Sequence, residues 1–152
     1  MADVREYTER ISVTAYELNL IVRAQQVTVD AANQKASESW IRKQLTAIAG
    51  EANTIFALAF ATRTAVGVAL GLATLLAGPL ATNYFLNSIT TGLNATSRHA
   101  SWFNVNTNKY KRIEFEAAFV EYSNAGGTTR YITQAGPIDR MQRLDGTWIY
   151  SS

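Results

Sequence analysis

The stretch ALAFATRTAVGVALGLATLLAGPLA, residues 57–81, is the part of the chain on which the fold prediction depends. Alanine recurs in it at every fourth position. These alanines are Ala57, Ala61, Ala65, Ala69, Ala73, Ala77 and Ala81. Residues four apart lie on one face of a helix, so the repeat predicts a ridge of methyl groups that a second backbone can approach closely. Gly67 and Gly71 add a G-x-x-x-G pattern on an adjoining face.

The residues around this ridge predict an apolar helical hairpin over residues 52–93. Nothing in residues 52–77 ends a helix, and apolar side chains occur on nearly all sides of that helix. Gly78 and Pro79 form the predicted hairpin turn, because proline ends a helix and glycine suits the position before it. A second apolar segment follows at residues 80–93.

The absence of charge from most of this hairpin is compatible with its burial in lipid, in an oligomer interface or in a protein core. No charged residue occurs from Thr64 to Ser97. As a helix, residues 65–81 span about 26 Å, at the short limit for crossing a bilayer. Cationic and aromatic side chains near its ends predict an interface belt at a membrane, although such residues also stack nucleic-acid bases or form an ordinary amphipathic surface. The predicted belt consists of Arg63, Tyr84, Trp102 and Phe103.

The N-terminal part also predicts helix. Thr14 and Glu17 have the spacing of a capping box, and Ile11 and Leu18 are placed on one apolar stripe of the helix around it. Ser37 is the candidate N-cap of a second helix.

The last third of the chain predicts strand. Apolar residues at 113, 115, 117 and 119 alternate with charged residues at 112, 114 and 116, which is the pattern of a strand with one wet face. Glycine-containing turns at residues 124–127 and 145–146 separate this strand from the ones that return.

The predicted fold is therefore α+β in a single domain, residues 1–152. Residues 1–95 are expected to be mainly helical and to contain the central hairpin. Residues 96–108 are expected to be a connector, and residues 109–152 a small C-terminal antiparallel β-meander.

Composition excludes several classes of chemistry. The chain has no cysteine, which removes thiol catalysis, zinc–thiolate sites and disulfides. His99 is the only histidine, and it is expected to be a loop residue rather than a catalytic one. The sequence contains no phosphate-binding glycine motif. We therefore expect no catalytic, cofactor-binding or metal-binding residues, and no enzyme.

Two functions take precedence over an enzyme, which would need a site built from carboxylates, hydroxyls and His99 without any recognisable spacing. The first is a membrane-active protein of toxin or antimicrobial type, whose hairpin is concealed in water and inserts into or packs on a bilayer. The alternative is a self-assembling structural subunit of virion or appendage type, with the ridge of residues 57–81 as its helix–helix interface.

The expected partners follow from these two functions. They are a membrane or copies of the same chain, and no motif indicates a small-molecule substrate. A nucleic acid is not expected, because the net charge is only +2 and the sequence has no block of basic residues. The polar N-terminus is not a signal peptide, yet either function favours a secreted or membrane-associated protein.

Overall fold

The chain begins with a strand, continues through helices and ends in strands. The computed structural model describes residues 3–78, 83–125 and 127–151, and the following elements lie within them. In chain order they are β1 (Asp3–Val13), α1 (Ala15–Gln34), α2 (Glu38–Ala49), α3 (Thr54–Phe60), α4 (Ala65–Ala77), α5 (Asn83–Asn104), β2 (Tyr110–Asn124), β3 (Gly127–Ala135), β4 (Arg140–Arg143) and β5 (Trp148–Tyr150).

The strands form one antiparallel sheet built around β2. Along one edge of β2, β1 pairs without a register shift, from Asp3 opposite Ser123 to Val13 opposite Ile113. The other edge is shared, because β3 pairs with the C-terminal half of β2 and β4 with its N-terminal end. β5 extends the sheet by pairing with β4. Among the described residues, β1 is therefore the outermost strand on its side.

The start of α1 is fixed by the capping box that the sequence predicts. The Thr14 hydroxyl accepts a hydrogen bond from the Glu17 N–H at 3.1 Å, and the Glu17 carboxylate accepts one from the Thr14 N–H at 2.8 Å. The helix ends at Lys35, which adopts the left-handed conformation with φ 49°. Ser37 then caps α2, also as predicted.

The core lies between the helices and the sheet, and β3 is the strand against which α3, α4 and α5 all pack. Gly92 of α5 allows the closest approach, because a Cβ at this position would collide with the Ile132 carbonyl of β3. The largest fully buried side chains are mainly aromatic. They include Phe56, Phe60, Phe85, Phe103, Phe115, Phe119 and Tyr131.

The predicted order of elements is wrong, although the chain is α+β. A strand, β1, precedes the helices and pairs with β2, so the sheet is not a C-terminal meander alone. Ile11, placed on a helical stripe in the prediction, lies in this strand and is buried there against the core. Residues 96–104, predicted as part of a connector, are the last turns of α5.

The predicted hairpin over residues 52–93 is also wrong. Its first arm is two helices, because α3 ends at Ala61 with φ 62°, and the Thr64 hydroxyl begins α4 by accepting the Gly67 N–H. α4 packs against α2, α3 and the sheet, whereas α5 packs against α1 and β3. Of the predicted turn, Gly78 is the C-cap of α4, and Pro79 lies outside the described residues.

Candidate functional site

The outer edge of β1 is the longest strand edge that no other strand of the described residues pairs. The strand is eleven residues long and carries no proline, glycine or lysine and no bulge. Edge strands are usually blunted by such features or by charged side chains, because unpaired backbone groups in an extended row can pair with another chain. Of these features β1 has only the charges of Asp3, Arg5, Glu6, Glu9 and Arg10. Apart from Tyr7, the residues from Asp3 to Arg10 are exposed.

The hydrogen bonds of β2 define which backbone groups of β1 point outward. The Glu114 carbonyl accepts the Asp139 N–H on the side of β2 away from β1. Ser12, the partner of Glu114 on β1, therefore forms a non-hydrogen-bonded pair with it, and its own backbone groups point away from β2. Because this direction alternates along a strand, every second residue of β1 points outward. These residues are Val4, Glu6, Thr8, Arg10 and Ser12.

Only the last of these outward carbonyls has a partner within the described part of the chain. The Arg112 guanidinium donates to the Ser12 carbonyl at 3.2 Å. The backbone groups of the other four outward residues make no hydrogen bond to any described residue. The open edge of β1 is defined here as Val4–Arg10, and its free N–H and C=O groups can pair with a further strand.

One face of the open edge combines an aromatic ring with charges of both signs. Tyr7 stacks on Phe119 with a ring-centroid distance of 5.7 Å and donates its hydroxyl hydrogen to Glu121 at 2.9 Å. The guanidinium of Arg5 lies 3.1 Å from the Glu121 carboxylate and 4.6 Å from the Tyr7 ring centroid. The Arg5 side chain is 69% exposed, so a neighbouring strand can reach it.

Arg130 supports this face from below. Arg130 is only 6% exposed. Its Nη1 lies 2.5 Å from the Glu9 carboxylate and donates a hydrogen bond to the Tyr7 hydroxyl at 3.2 Å. Its Nη2 donates to the Leu58 carbonyl at 2.6 Å, in the last turn of α3. The guanidinium also lies 3.9 Å from the Phe119 ring centroid, a cation–π contact. Arg130 therefore connects β1, β3 and α3.

A second cluster of charges lies at the C-terminal part of β1, and its charges are paired with each other. Arg10 donates to both carboxylate oxygens of Asp139 at 2.6 Å. Arg140 donates to both oxygens of Glu114, at 2.6 and 3.1 Å, and these bonds lower the pKa of the Glu114 carboxyl. Arg140 also lies 4.0 Å from the ring centroid of Trp148. Because each charge is compensated, this cluster holds the strands together and offers no free reactive group.

The structure does not bring the predicted alanine ridge together on one helix. Ala57 belongs to α3 and Ala61 to its C-cap, and the chain then turns before α4. The four alanines of α4 are Ala65, Ala69, Ala73 and Ala77. Ala65 and Ala69 are buried, whereas Ala77 is exposed. Ala81 lies outside the described residues.

The two glycines of the predicted G-x-x-x-G motif have different surroundings. Gly71 lies where α4 approaches β3, and a Cβ there would collide with the side chain of Thr129. A Cβ at Gly67 would collide with the side chain of Thr62, in the link between α3 and α4. Gly71 therefore allows close packing, but its partner is a strand of the same chain rather than a second helix.

The residues of the predicted interface belt do not share one level of the molecule. Arg63 is exposed in the link between α3 and α4, and Tyr84 is 68% exposed near the start of α5. Trp102 lies about 27 Å farther along that helix and stacks on Tyr110 with a centroid distance of 5.8 Å. Phe103 is fully buried.

The structure gives His99 a packing role. It lies in α5 rather than in the expected loop, its Nε2 is 2.7 Å from the Gly136 carbonyl, and its ring contacts Phe115. Burial lowers its pKa.

No three His, Asp or Glu side chains of the described residues are grouped so that they could hold a metal ion. Within the described part of the chain, no helix is both long and apolar enough to cross a membrane.

The sequence does not indicate the strand that carries the open edge, because charged residues interrupt its period-two pattern. Tyr7, Ile11 and Val13 occur at odd positions and face the core or its margin, which is a period of two. The odd position between them is Glu9, whose charge hides this period. Its partner Arg130 lies 121 residues farther along the chain, at a distance that no local pattern can reveal.

Comparison of the chain with protein-family models, with curated proteins and with solved structures gives no match in any of the three.

Proposed function

We propose that this protein is a non-enzymatic structural subunit that assembles with copies of itself through the open edge of β1. The observation that carries this proposal is the row of outward-pointing backbone groups from Val4 to Arg10, which no described residue pairs, on a strand without a bulge or proline. Addition of a strand to such an edge is a common way for proteins to associate. The interface that we propose differs from the alanine ridge expected from the sequence.

A proline at Thr8 tests this function. The N–H of Thr8 points away from β2, so Thr8→Pro removes no hydrogen bond between β1 and β2, and proline is tolerated at such positions of edge strands. It does remove one of the two outward donors nearest the middle of the open edge, those of Glu6 and Thr8. We expect the wild-type chain to show a mass that rises with concentration in sedimentation equilibrium, and Thr8→Pro to remain a monomer.

Thr8→Ala is the matched control, because it removes the same side chain and keeps the N–H. This variant should assemble like the wild type. A wild-type chain that stays monomeric up to millimolar concentration would refute the proposal, and so would a folded Thr8→Pro variant that assembles normally.

A second candidate function, attachment to a membrane surface, is favoured by one observation on α4. This helix carries no charged residue, and its outward side chains Val66 and Leu70 are 39% and 41% exposed. Exposed apolar residues on one helix face can bind at the surface of a bilayer. In this function the partner is again a membrane, but the protein binds it through the exposed face of α4 instead of a helical hairpin.

Flotation with vesicles of phosphatidylcholine and phosphatidylglycerol tests the second candidate. The double variant Val66→Ser/Leu70→Ser should bind the vesicles less than the wild type. Leu144→Ser, which changes an exposed leucine outside α4, should bind them equally. A wild-type chain that does not float with the vesicles would rule this candidate out.

A further inference from the structure

The partner and the register of the assembly can be derived from the charges of β1; this inference rests on the proposed function. When two copies of an antiparallel pair are related by a two-fold axis, residues with outward backbone groups must face each other to form hydrogen bonds. The outward residues of β1 are the even-numbered ones, as shown above. The axis must therefore pass through a residue rather than between two residues.

Charge then excludes most positions of the axis. An axis through a charged residue places that side chain opposite its own copy, and like charges directly opposite each other are unfavourable. The charged residues in the middle of the strand are Arg5, Glu6, Glu9 and Arg10. Axes nearer the strand ends pair only a few residues. The remaining central positions are Tyr7 and Thr8.

The backbone distinguishes these two positions. An axis through Thr8 places Ser12 opposite Val4 as a hydrogen-bonded pair, yet the Ser12 carbonyl already accepts from Arg112. An axis through Tyr7 uses only the four outward residues whose backbone groups are free. In that register Val4 faces Arg10 and Glu6 faces Thr8, each twice by symmetry.

We propose that two copies of this chain pair antiparallel through β1, with Tyr7 opposite Tyr7 and Arg5 of each copy opposite Glu9 of the other. Arg5 and Glu9 then occupy non-hydrogen-bonded positions, where facing Cα atoms are only about 4.5 Å apart. Within each copy Arg5 is paired with Glu121 and Glu9 with Arg130. Pairing of two copies joins these into a row of alternating charges, and the two Tyr7 rings meet at the axis.

Reversal of these charges in two separate variants tests the register. In Arg5→Glu both facing positions are acidic, and in Glu9→Arg both are basic, so each variant alone should form its dimer about tenfold or more weakly than the wild type. A mixture of the two variants places Glu at position 5 opposite Arg at position 9 and the native Glu9 opposite the native Arg5. The mixture should therefore regain dimers, now containing one chain of each kind, in native mass spectrometry and sedimentation.

Two controls match these variants in charge. Arg23→Glu makes the same change as Arg5→Glu on the exposed surface of α1 and should leave the dimer unchanged. Glu6→Arg makes the same change as Glu9→Arg on β1, but its position faces Thr8 in the Tyr7 register. Circular dichroism establishes that each variant folds. If Glu9→Arg does not fold, Arg5→Glu compared with Glu6→Arg gives the same answer.

The outcomes separate this inference from the proposed function. Weakening by Arg5→Glu with a dimer retained in Glu6→Arg supports the Tyr7 register. Weakening by Glu6→Arg with no effect of Arg5→Glu indicates the Thr8 register, and it overturns the inference while assembly through β1 stands. A wild-type chain that never dimerises overturns both.

Discussion

Arg130 is the residue whose environment shows most clearly how this fold is held together. Its guanidinium is buried, yet it carries a full charge, which would be costly without partners. The Glu9 carboxylate and the Leu58 carbonyl supply those partners from two other elements. A cation at the C-terminal end of a helix is also stabilised by the helix dipole. The same side chain thus fixes the position of α3 and supports the face of β1 that carries Tyr7.

We predict that Arg130→Met lowers the free energy of unfolding by about 2 kcal/mol, because it leaves a buried carbonyl and a carboxylate without their donor. Arg5→Met should lower it by about 0.5 kcal/mol or less, since the Arg5 ion pair is largely exposed. Urea unfolding of dilute protein measures both. Equal effects of the two substitutions would contradict the role assigned to Arg130.

At the scale of elements, the alanine and glycine pattern of residues 57–81 does not form a ridge on one helix, and its close contact with the sheet is made at Gly71. Gly71 packs against Thr129 of β3, a residue that lies beyond any local window of the sequence. Gly92 of α5 approaches β3 more closely still and has no pattern around it that indicates this. Glycine in the middle of a helix is otherwise unfavourable by about 1 kcal/mol, and at both positions the close approach of β3 leaves no room for a Cβ.

We predict that alanine at these two glycines is destabilising for different reasons. Gly71→Ala places a methyl group against the Thr129 side chain, and Thr129→Ser should relieve part of this cost because it removes the methyl group and keeps the hydroxyl that bonds Tyr131. Gly92→Ala meets the backbone of Ile132, so it should cost more, and Thr129→Ser should not help. A double-mutant cycle by chemical denaturation tests this difference. No rescue of Gly71→Ala by Thr129→Ser would contradict the packing described.

The elements that could be predicted from the sequence are those whose signals are local. The capping box of α1, the Ser37 cap of α2 and the alternation within β2 are local, and each is present in the structure. The break between α3 and α4 depends on Thr64, whose capping role is hidden in a long apolar stretch. β1 is a strand because it pairs with β2. The residues of this charged segment do not by themselves indicate that pairing.

In the molecule as a whole, the β3 side and the β1 side of the sheet differ in how the helices pack against them. α3, α4 and α5 all pack against β3, whereas residues Val4–Arg10 of β1 are mostly exposed and their outward backbone groups make no hydrogen bond to any described residue. This asymmetry is what suggests assembly. The candidate surface could not be derived from the sequence, because it depends on the long-range pairing of β1 and on the absence of a neighbouring strand among the described residues.

We predict that stability falls with acidification in a window set by His99. Burial holds its pKa in the folded chain below the ordinary value of 6.5. Above this value the imidazole is neutral in both states, and below it the unfolded chain binds the proton first, so the free energy of unfolding decreases until the lower folded pKa is reached. His99→Gln, which keeps a donor towards Gly136, should lack this decrease.

The carboxyl of Glu114 affects a different pH range. Its folded pKa lies below the ordinary 4.5, so its stabilising contribution is present above 4.5 and is lost only as the pH falls further. Urea titrations between pH 7 and the upper edge of this lower range therefore report mainly on His99. An unchanged pH dependence in His99→Gln would contradict the assignment.

The most direct test of assembly through β1 is amide hydrogen exchange followed by NMR at two protein concentrations. We predict that the outward amides of Glu6 and Thr8 exchange rapidly in dilute protein and become protected in concentrated protein. The inward amides of Tyr7 and Glu9 should be protected at both concentrations. Rapid exchange at Glu6 and Thr8 in a sample whose mass is that of a dimer would contradict assembly through β1.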